Sequence, residues 1–546
     1  MKKIIFSISF LFLVNTICSQ ELHVTSTATY YISPEAYTWV GDNVNVANTA
    51  NLTVASSATD SGSFIVPGAS TVGGNITYQR FIPTTGWHLV SSPVVGQNIE
   101  SFATDAANDI TTKTAADGLS FLTAKYAISY YDNILARADR WVYYNNENIT
   151  AAGNFTTAQG YQMKRNSTGF LTFTGTMNVD ALAKVTVPTS FYAGDGTQHL
   201  WAVVGNPFPS FLPATDLANG TNNILKQNLS NLDASRAYIL ILDATDNKYY
   251  YYNHVVSKGS LTFDGTLGAG STTPWSIAPG QAFFMDPIDN NTDLFFPENL
   301  QTPQPAATNA TFLRTTPIEK VNVKLSNDSE TKATMIYYIE NGTDGLDPGY
   351  DAAVFEEGTP TFGFYTHLVS DSSGNNFMLQ CLPNVDQDKY IIPLSVYAAA
   401  NQKLTFTTDT ENLPAGTNVY LEDKLLNTIT DITTASHQVT IDSALNGIGR
   451  FYLRTSSNSL STGDNSLSTS FNMYKTTNTN LRITGLQQTG TALIKMYTVT
   501  GKQVLSSSFE IQTVNDVTLP VNLARGVYLV NLQTNQAKQT KKIIIE

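Results

Sequence analysis

Asp344, Asp347 and Asp351 stand close together in TDGLDPGYDA, and Asp286, Asp289, Asn290 and Asp293 in DPIDNNTD. Hard oxygen ligands gathered on a turn are what calcium requires. Asp, Asn and Gly are equally the ordinary residues of tight turns, so each loop has a purely structural reading beside the ionic one. The first loop is the better calcium candidate because its carboxylates lie within one turn-rich segment; no other cofactor is indicated. Aromatic residues suggest a second chemistry. Trp87 and Trp201 lead apolar strands, and Trp141 and Tyr250 belong to the runs RWVYYNN and KYYYYNH. Successive strand side chains point to opposite faces, so an all-aromatic run covers both faces of its sheet. One face then belongs to a core. The other either packs against a neighbouring module or forms an exposed platform on which sugar rings stack.

Covalent chemistry finds little support. The chain has no H-E-x-x-H, G-x-S-x-G, phosphate loop or paired C-x-x-C. Its six histidines are scattered, and His88 and His199 flank Trp87 and Trp201, which suggests a structural place in each module. Of the two cysteines, Cys18 lies near the start and Cys381, in FMLQCLP, reads as a core residue. With one cysteine beyond the leader, no intramolecular disulfide is expected. No catalytic residue is assigned and a non-enzymatic protein is expected. A carboxylate pair for glycoside hydrolysis, distant in sequence and brought together by folding, is the alternative. DSA at Asp442 to Ala444 fits a short bacterial O-glycosylation pattern.

These residues must be held by strands. Of 546 residues 42% are hydrophobic and 14% charged, and Tyr and Phe stand at 27 each, a balance that favours several packed cores of strands and tight turns. The opening MKKIIFSISFLFLVNTICSQE has two lysines, an apolar core and small residues near Cys18 to Gln20, the pattern of a secretory signal peptide. No later stretch approaches a transmembrane helix in length. The formal net charge is −13, yet from residue 466 onward eight Lys and Arg face three Asp and Glu. The acidic body disfavours nucleic acid and anionic membranes as partners and is compatible with cations, glycans or proteins.

Short pieces such as NVNVAN, NLTVAS and GSFIVPG over residues 22–78 suit one or two rungs of a β-solenoid or a small meander. Beyond them the chain repeats itself. GWHLVSSPV at Gly86 matches HLWAVVGNPF at His199, RWVYYNN matches NKYYYYN, and TTAQGYQMK matches IAPGQAFFM, at an offset of roughly 108 to 120 residues. A Pro-, Thr- and Ala-rich stretch then leads to nine strand candidates between about 312 and 456, the count and spacing of a β-sandwich or jelly roll. SSNSLSTGDNSLSTS reads as a linker before a last compact unit.

In that unit, NLRITGL, TALIKMYTVTGKQVLSSSF, LPVNLARGVYLVNL and TKKIIIE resemble the type A C-terminal sorting domain of the type IX (Por) secretion system of Bacteroidetes. Gly501 and Gly526 fall on the family's turn glycines, Tyr528 on the aromatic of its penultimate strand, and Lys541 and Lys542 on its terminal basic pair. The family's frequent NP near the domain start is replaced here by FNMYKTTN. The resemblance implies carriage across the outer membrane by the type IX machinery, removal of the domain, and a cargo released or attached to surface lipopolysaccharide. On its own residues the unit reads as a small sandwich: Tyr528, Val530 and Leu532 alternate onto one face, and the lysines would guard an edge strand. TDGLDPGYDAAVF with VYLEDK, and GNITYQRF with GWHLVSSPV, are similar to modules common in secreted flavobacterial proteins.

The expectation is therefore an all-β, multidomain protein. It has a signal peptide at 1–19, an N-terminal β segment at 20–78, β modules at 79–190 and 191–305, and a β-sandwich at 306–456. A linker at 457–466 and a sorting domain at 467–546 complete it. Its expected role is adhesion or glycan binding outside the cell or on its surface, with surface glycans or host and biofilm proteins as partners. The alternatives are a polysaccharide hydrolase or a structural surface-layer component.

Overall fold

The computed structural model describes residues 18–456 and 472–545, apart from segments at 20, 48–50, 68–71, 114–123, 188–199, 262–266, 269–272, 290, 306–317, 356–359, 371–373, 478–479, 485–489, 499–500, 513, 521–522, 525 and 535–537. Most of the expected leader, His199, Asn290 and the linker at 457–466 thus lie outside the described residues. The chain divides into two compact units, residues 1–458 and 459–546. Strand dominates both, and among the described residues no helix is long and apolar enough to cross a membrane.

The first unit opens as a solenoid of three rungs, one more than the strand rhythm suggests. Cys18–Ser19, Tyr37–Val40 and Ser63–Ile65 pair in parallel on one face. Leu22–Val24, Val44–Val46 and Val72–Gly73 form the second face. Tyr30–Ile32, Leu52–Ala55 and Ile76–Ile82 form the third. Each strand is too short to hold a sheet alone, and alternation such as buried Val44 and Val46 around exposed Asn45 turns the apolar positions into a shared interior. The expected break at 78 is absent. Ile76–Ile82 also pairs antiparallel with Gly169–Gly175, so the solenoid and the first module share one core.

The repeat seen in sequence is a duplicated topology. In the first copy, strands His88–Ser91, Gly160–Met163, Lys125–Tyr131 and Trp141–Asn145 lie side by side in that order. In the second, Ala202–Gly205, Ala282–Met285, Ile239–Asp243 and Lys248–Tyr252 do the same. The antiparallel pair Ile76–Ile82 with Gly169–Gly175 is matched by Leu182–Val187 with Thr292–Pro297. Each copy of the repeat therefore starts one strand before the Trp-led piece, and the expected boundary at 190 cuts the second copy behind its own first strand. The reciprocal bridges Val90 to Gln281 and Gln159 to Val204 join the copies in a pseudo-symmetric contact. Small residues make that contact close: a Cβ on Gly160 would come within 2.7 Å of Ala282 Cβ, and one on Gly205 within 2.4 Å of Ser91 Cβ.

Residues 319–456 form one eleven-stranded sheet that folds back on itself. Phe406 and Phe451, from strands far apart in the sheet order, lie 4.8 Å apart, and the Tyr338 and Thr455 hydroxyls are 2.7 Å apart. Val321, Leu325, Phe364, Leu394 and Leu453 fill the interior. The outward side chains of Thr331–Ile339 and Phe377–Pro383, among them Met335, Tyr337, Met378 and Cys381, are also buried. They pack on Trp201, Leu240, Tyr251 and Phe284 of the second module. Cys381 is a free thiol fully inside this contact.

The second unit is a sandwich of a three-stranded and a four-stranded sheet around Leu481, Ile483, Ile494, Met496, Tyr528, Val530 and Leu532. Gly501 has a φ of +84° in the turn between Thr491–Thr498 and Gln503–Glu510, a conformation that favours glycine. Gly526 starts the strand Gly526–Gln533, and Tyr528 on it is buried with its hydroxyl donating to the Ala524 carbonyl at 2.7 Å. Lys538–Ile545 closes the sheet at its edge, with Lys541 and Lys542 in register with Val530 and Leu529.

Candidate functional site

The duplication supplies an internal control for the aromatic residues. The register His88 to Met163 in one copy and Ala202 to Met285 in the other makes Trp87 the counterpart of Trp201. By the same ladders Tyr143 corresponds to Tyr251, through Ser129 and Leu240, and Lys164 to Asp286. In the second module this face is covered. Trp201 is 4% exposed, its ring 4.6 Å from Phe355 and 5.6 Å from Tyr238, and Tyr251 is fully buried. Trp201 therefore cannot be a stacking platform, and the reason is the folded-back sheet docked upon it.

The other aromatics divide. Trp141 packs edge-on against Tyr131 at 5.1 Å and Phe284 at 6.0 Å, so it fills the joint between modules. Tyr250 is half-buried, its hydroxyl donating to Asp246 at 2.5 Å, and the Lys258 ammonium sits 4.9 Å above its ring. The hydrogen bond to the carboxylate holds its phenol up at about 12. These bonds fix Tyr250 in place locally. Trp87 alone of the four remains at an open wall. Its ring lies 5.7 Å from that of Tyr143, and the Lys164 ammonium stands 6.0 Å from it. Together with Tyr126, Ala127 and Thr111 they line a cavity of about 240 Å³, whose rim carries Lys113 and Lys125 as well as Lys164. The backbone beneath is rigid: Lys164 N donates to Ala127 O, and Thr111 N to Lys164 O, both at 3.0 Å.

The acidic loop does not assemble a calcium site. Asp351 is fully buried and accepts the Cys381 N–H at 2.6 Å on one oxygen and the Asp347 N–H at 2.7 Å on the other. Burial pushes its carboxyl up to about 7. Asp347 accepts the Thr343 N–H and hydroxyl, while Asp344 accepts the Ser370 hydroxyl. Each carboxylate closes its own piece of turn, and among the described residues no group of three His, Cys, Asp or Glu is placed to hold a metal. In the second acidic loop, Asp286 is buried and accepts the Leu200 N–H, whereas Asp293 binds Lys184 and Thr186.

What the first loop does instead is dock. Gly349, at φ +82°, lies flush on His254, where a Cβ would come within 2.6 Å of the ring, and its carbonyl accepts the His254 N–H at 2.8 Å. Tyr350 packs over that ring at 4.9 Å and donates its hydroxyl to Asp216 at 3.0 Å. Asp216 also meets His254 Nδ1 at 3.0 Å, Lys226 at 2.9 Å and Asn223 at 2.8 Å. Burial alone would raise its carboxyl, but the His254, Lys226 and Asn223 contacts outweigh it and hold the group down at about 2. A carboxyl depressed on folding stabilises above its unfolded value and loses that contribution as the pH falls through the folded one. Asp216→Asn should thus cost about 1–2 kcal/mol at neutral pH, allowing for partial exposure, with the deficit closing between about pH 4 and 2. Urea midpoints of both proteins across that range check it. Sequence reasoning missed this cluster because Asp216 and Tyr350 lie far apart in the chain, Asp216 sits in no motif, and TDGLDPGYDA draws attention to its carboxylates rather than to Tyr350.

A larger groove of about 410 Å³ runs between the solenoid and the second module, with Phe81, Trp275, Arg80 and Gln281 on its walls. Among the described residues Asp60 is the one carboxylate lining it, bound to Gln304 at 2.8 Å.

Two families match the chain. A domain of unknown function, DUF8693, is matched by residues 8–454, and a secretion system C-terminal sorting domain by residues 475–546. No curated protein matches it. The second match falls on the separate sandwich carrying Gly501, Gly526 and Tyr528, and it makes the protein a secreted cargo of the type IX machinery. The first spans most of the chain, from the solenoid through both modules to the folded-back sheet, and so the chain belongs to the DUF8693 family, joined to a type IX sorting domain.

Proposed function

We propose that the protein is a non-enzymatic glycan-binding protein that acts outside the cell or on its surface, with the Trp87 face as its binding wall. The observation that carries this reading is the contrast between equivalent faces: the second module's is sealed by a neighbouring domain, while the first keeps Trp87 and Tyr143 beside a cavity. Two rings inclined at 58° on a pinned strand framework offer an indole face to a pyranose, with the phenol as a side wall, without reorganisation. Binding is favoured over hydrolysis because lysines flank the wall, whereas a glycosidase places two carboxyl groups across the scissile bond. Export on the type IX pathway gives such a site access to surface, biofilm or host glycans. The leader at 1–19 would supply the first step, across the inner membrane.

A glycan array probed with the full chain tests the reading. Retention of a defined set of saccharides, lost on Trp87→Ala, is the expected result. No retention, or retention indifferent to Trp87, would overturn it.

A further inference from the structure

We infer that the Trp87 face selects acidic saccharides, with Lys164 meeting the carboxylate or sulfate of a sugar whose ring lies on Trp87 beside Tyr143. The inference rests on the glycan-binding reading. It begins with local charge: the chain carries 44 Asp and Glu against 31 Lys and Arg, yet among the described residues the cavity is lined by three lysines and no carboxylate. Lys164 places an ammonium beside the indole, and a neutral ligand would gain nothing from that charge.

The duplication shows that the fold does not demand a cation there. Lys164 follows Met163 as Asp286 follows Met285, each one residue past the end of the equivalent strand. In the covered copy this position carries an inward carboxylate that binds the Leu200 N–H. In the open copy it carries an ammonium above an indole. The charge has reversed where the face has opened. Lysine also suits an anion held at variable positions, because its ammonium is a mobile point charge on a flexible stem. It can meet a carboxylate or sulfate at several ring positions, where arginine would demand bidentate geometry.

Titration calorimetry of the full chain with an oligogalacturonate, a chondroitin sulfate oligosaccharide and a neutral cello-oligosaccharide of equal length tests this. At least one acidic probe should bind about tenfold or more tighter than the neutral one and weaken as salt is raised. Comparison of the uronate with the sulfated probe identifies the anion. Lys164→Gln should reduce acidic binding by about tenfold relative to neutral binding and flatten its salt dependence, with circular dichroism confirming the fold. Equal binding of acidic and neutral probes, or an acidic preference untouched by Lys164→Gln, overturns the inference and leaves the glycan reading standing. Absence of binding to every probe and to the array overturns both.

Discussion

Removal of residues 459–546 should leave the body folded and strand it in the periplasm. The sorting sandwich has a core of its own, drawn from Leu481 to Ile543, and among the described residues none of its strands pairs with a strand before Asn472. Its loss therefore removes no sheet partner from the body, whose melting temperature should change by no more than a few degrees. Its loss does remove the domain that marks the cargo for type IX export. Fractionation and immunoblotting should show the extracellular signal falling by about a hundredfold or more while the periplasmic one rises. Undiminished export would refute the assignment. Tyr528→Ala gives a milder version: it empties a buried aromatic site and frees the Ala524 carbonyl, so export should fall in proportion to the unfolded fraction of the sorting unit.

How far the sequence was legible follows from what each signal depends on. Alternation within a strand is local, and it placed Tyr528, Val530 and Leu532 on one buried face; it suited the NVNV and NLTV pieces to solenoid rungs or a small meander, and parallel pairing decides for rungs. The duplication was visible because both copies keep a Trp-led strand, an aromatic run and a Gly-led strand in the same order. Its starting points were not, since LAKVTV and ITYQRFI share a period and little else. Burial by a neighbouring domain cannot be read from a module's own residues at all. KYYYYNH and RWVYYNN look alike in sequence, yet Tyr251 is sealed beneath the folded-back sheet and Tyr143 stands at an open wall. The acidic loop failed for a related reason. Turn carboxylates bind either a cation or nearby N–H groups, and in TDGLDPGYDA the Thr343, Asp347 and Cys381 amides had claimed them. Lys164, the residue that gives the candidate site its character, was legible in principle: setting GYQMKR against QAFFMDP aligns the methionines and exposes a lysine opposite an aspartate.

The same substitution at the two equivalent tryptophans should then produce opposite results. Trp201→Ala removes a side chain that is 4% exposed and packed between Tyr238 and Phe355, leaving a void in a contact that also holds Tyr251, Phe284 and Met378. Large aromatic-to-alanine changes in such surroundings cost about 3–5 kcal/mol. Set against a net stability of about 5–15 kcal/mol, this is enough to lower the unfolding midpoint sharply and to loosen the docking of the folded-back sheet. Glycan binding at the first module should survive wherever the protein remains folded. Trp87→Ala removes a half-buried ring that packs on buried core residues on one side and meets Tyr143, Lys164 and the cavity on the other. Its cost in stability should be about 1–2 kcal/mol, less than at Trp201, because water already reaches the cavity side of the indole. Its cost in affinity should be about tenfold or more, since a stacked ring is the part of the site that cannot be replaced by solvent. Urea denaturation and saccharide titration on the two variants separate the cases. If Trp87→Ala destabilised the fold as much as Trp201→Ala and left binding intact, the first module's face would be a core like the second's, and its partner would be a protein surface rather than a sugar.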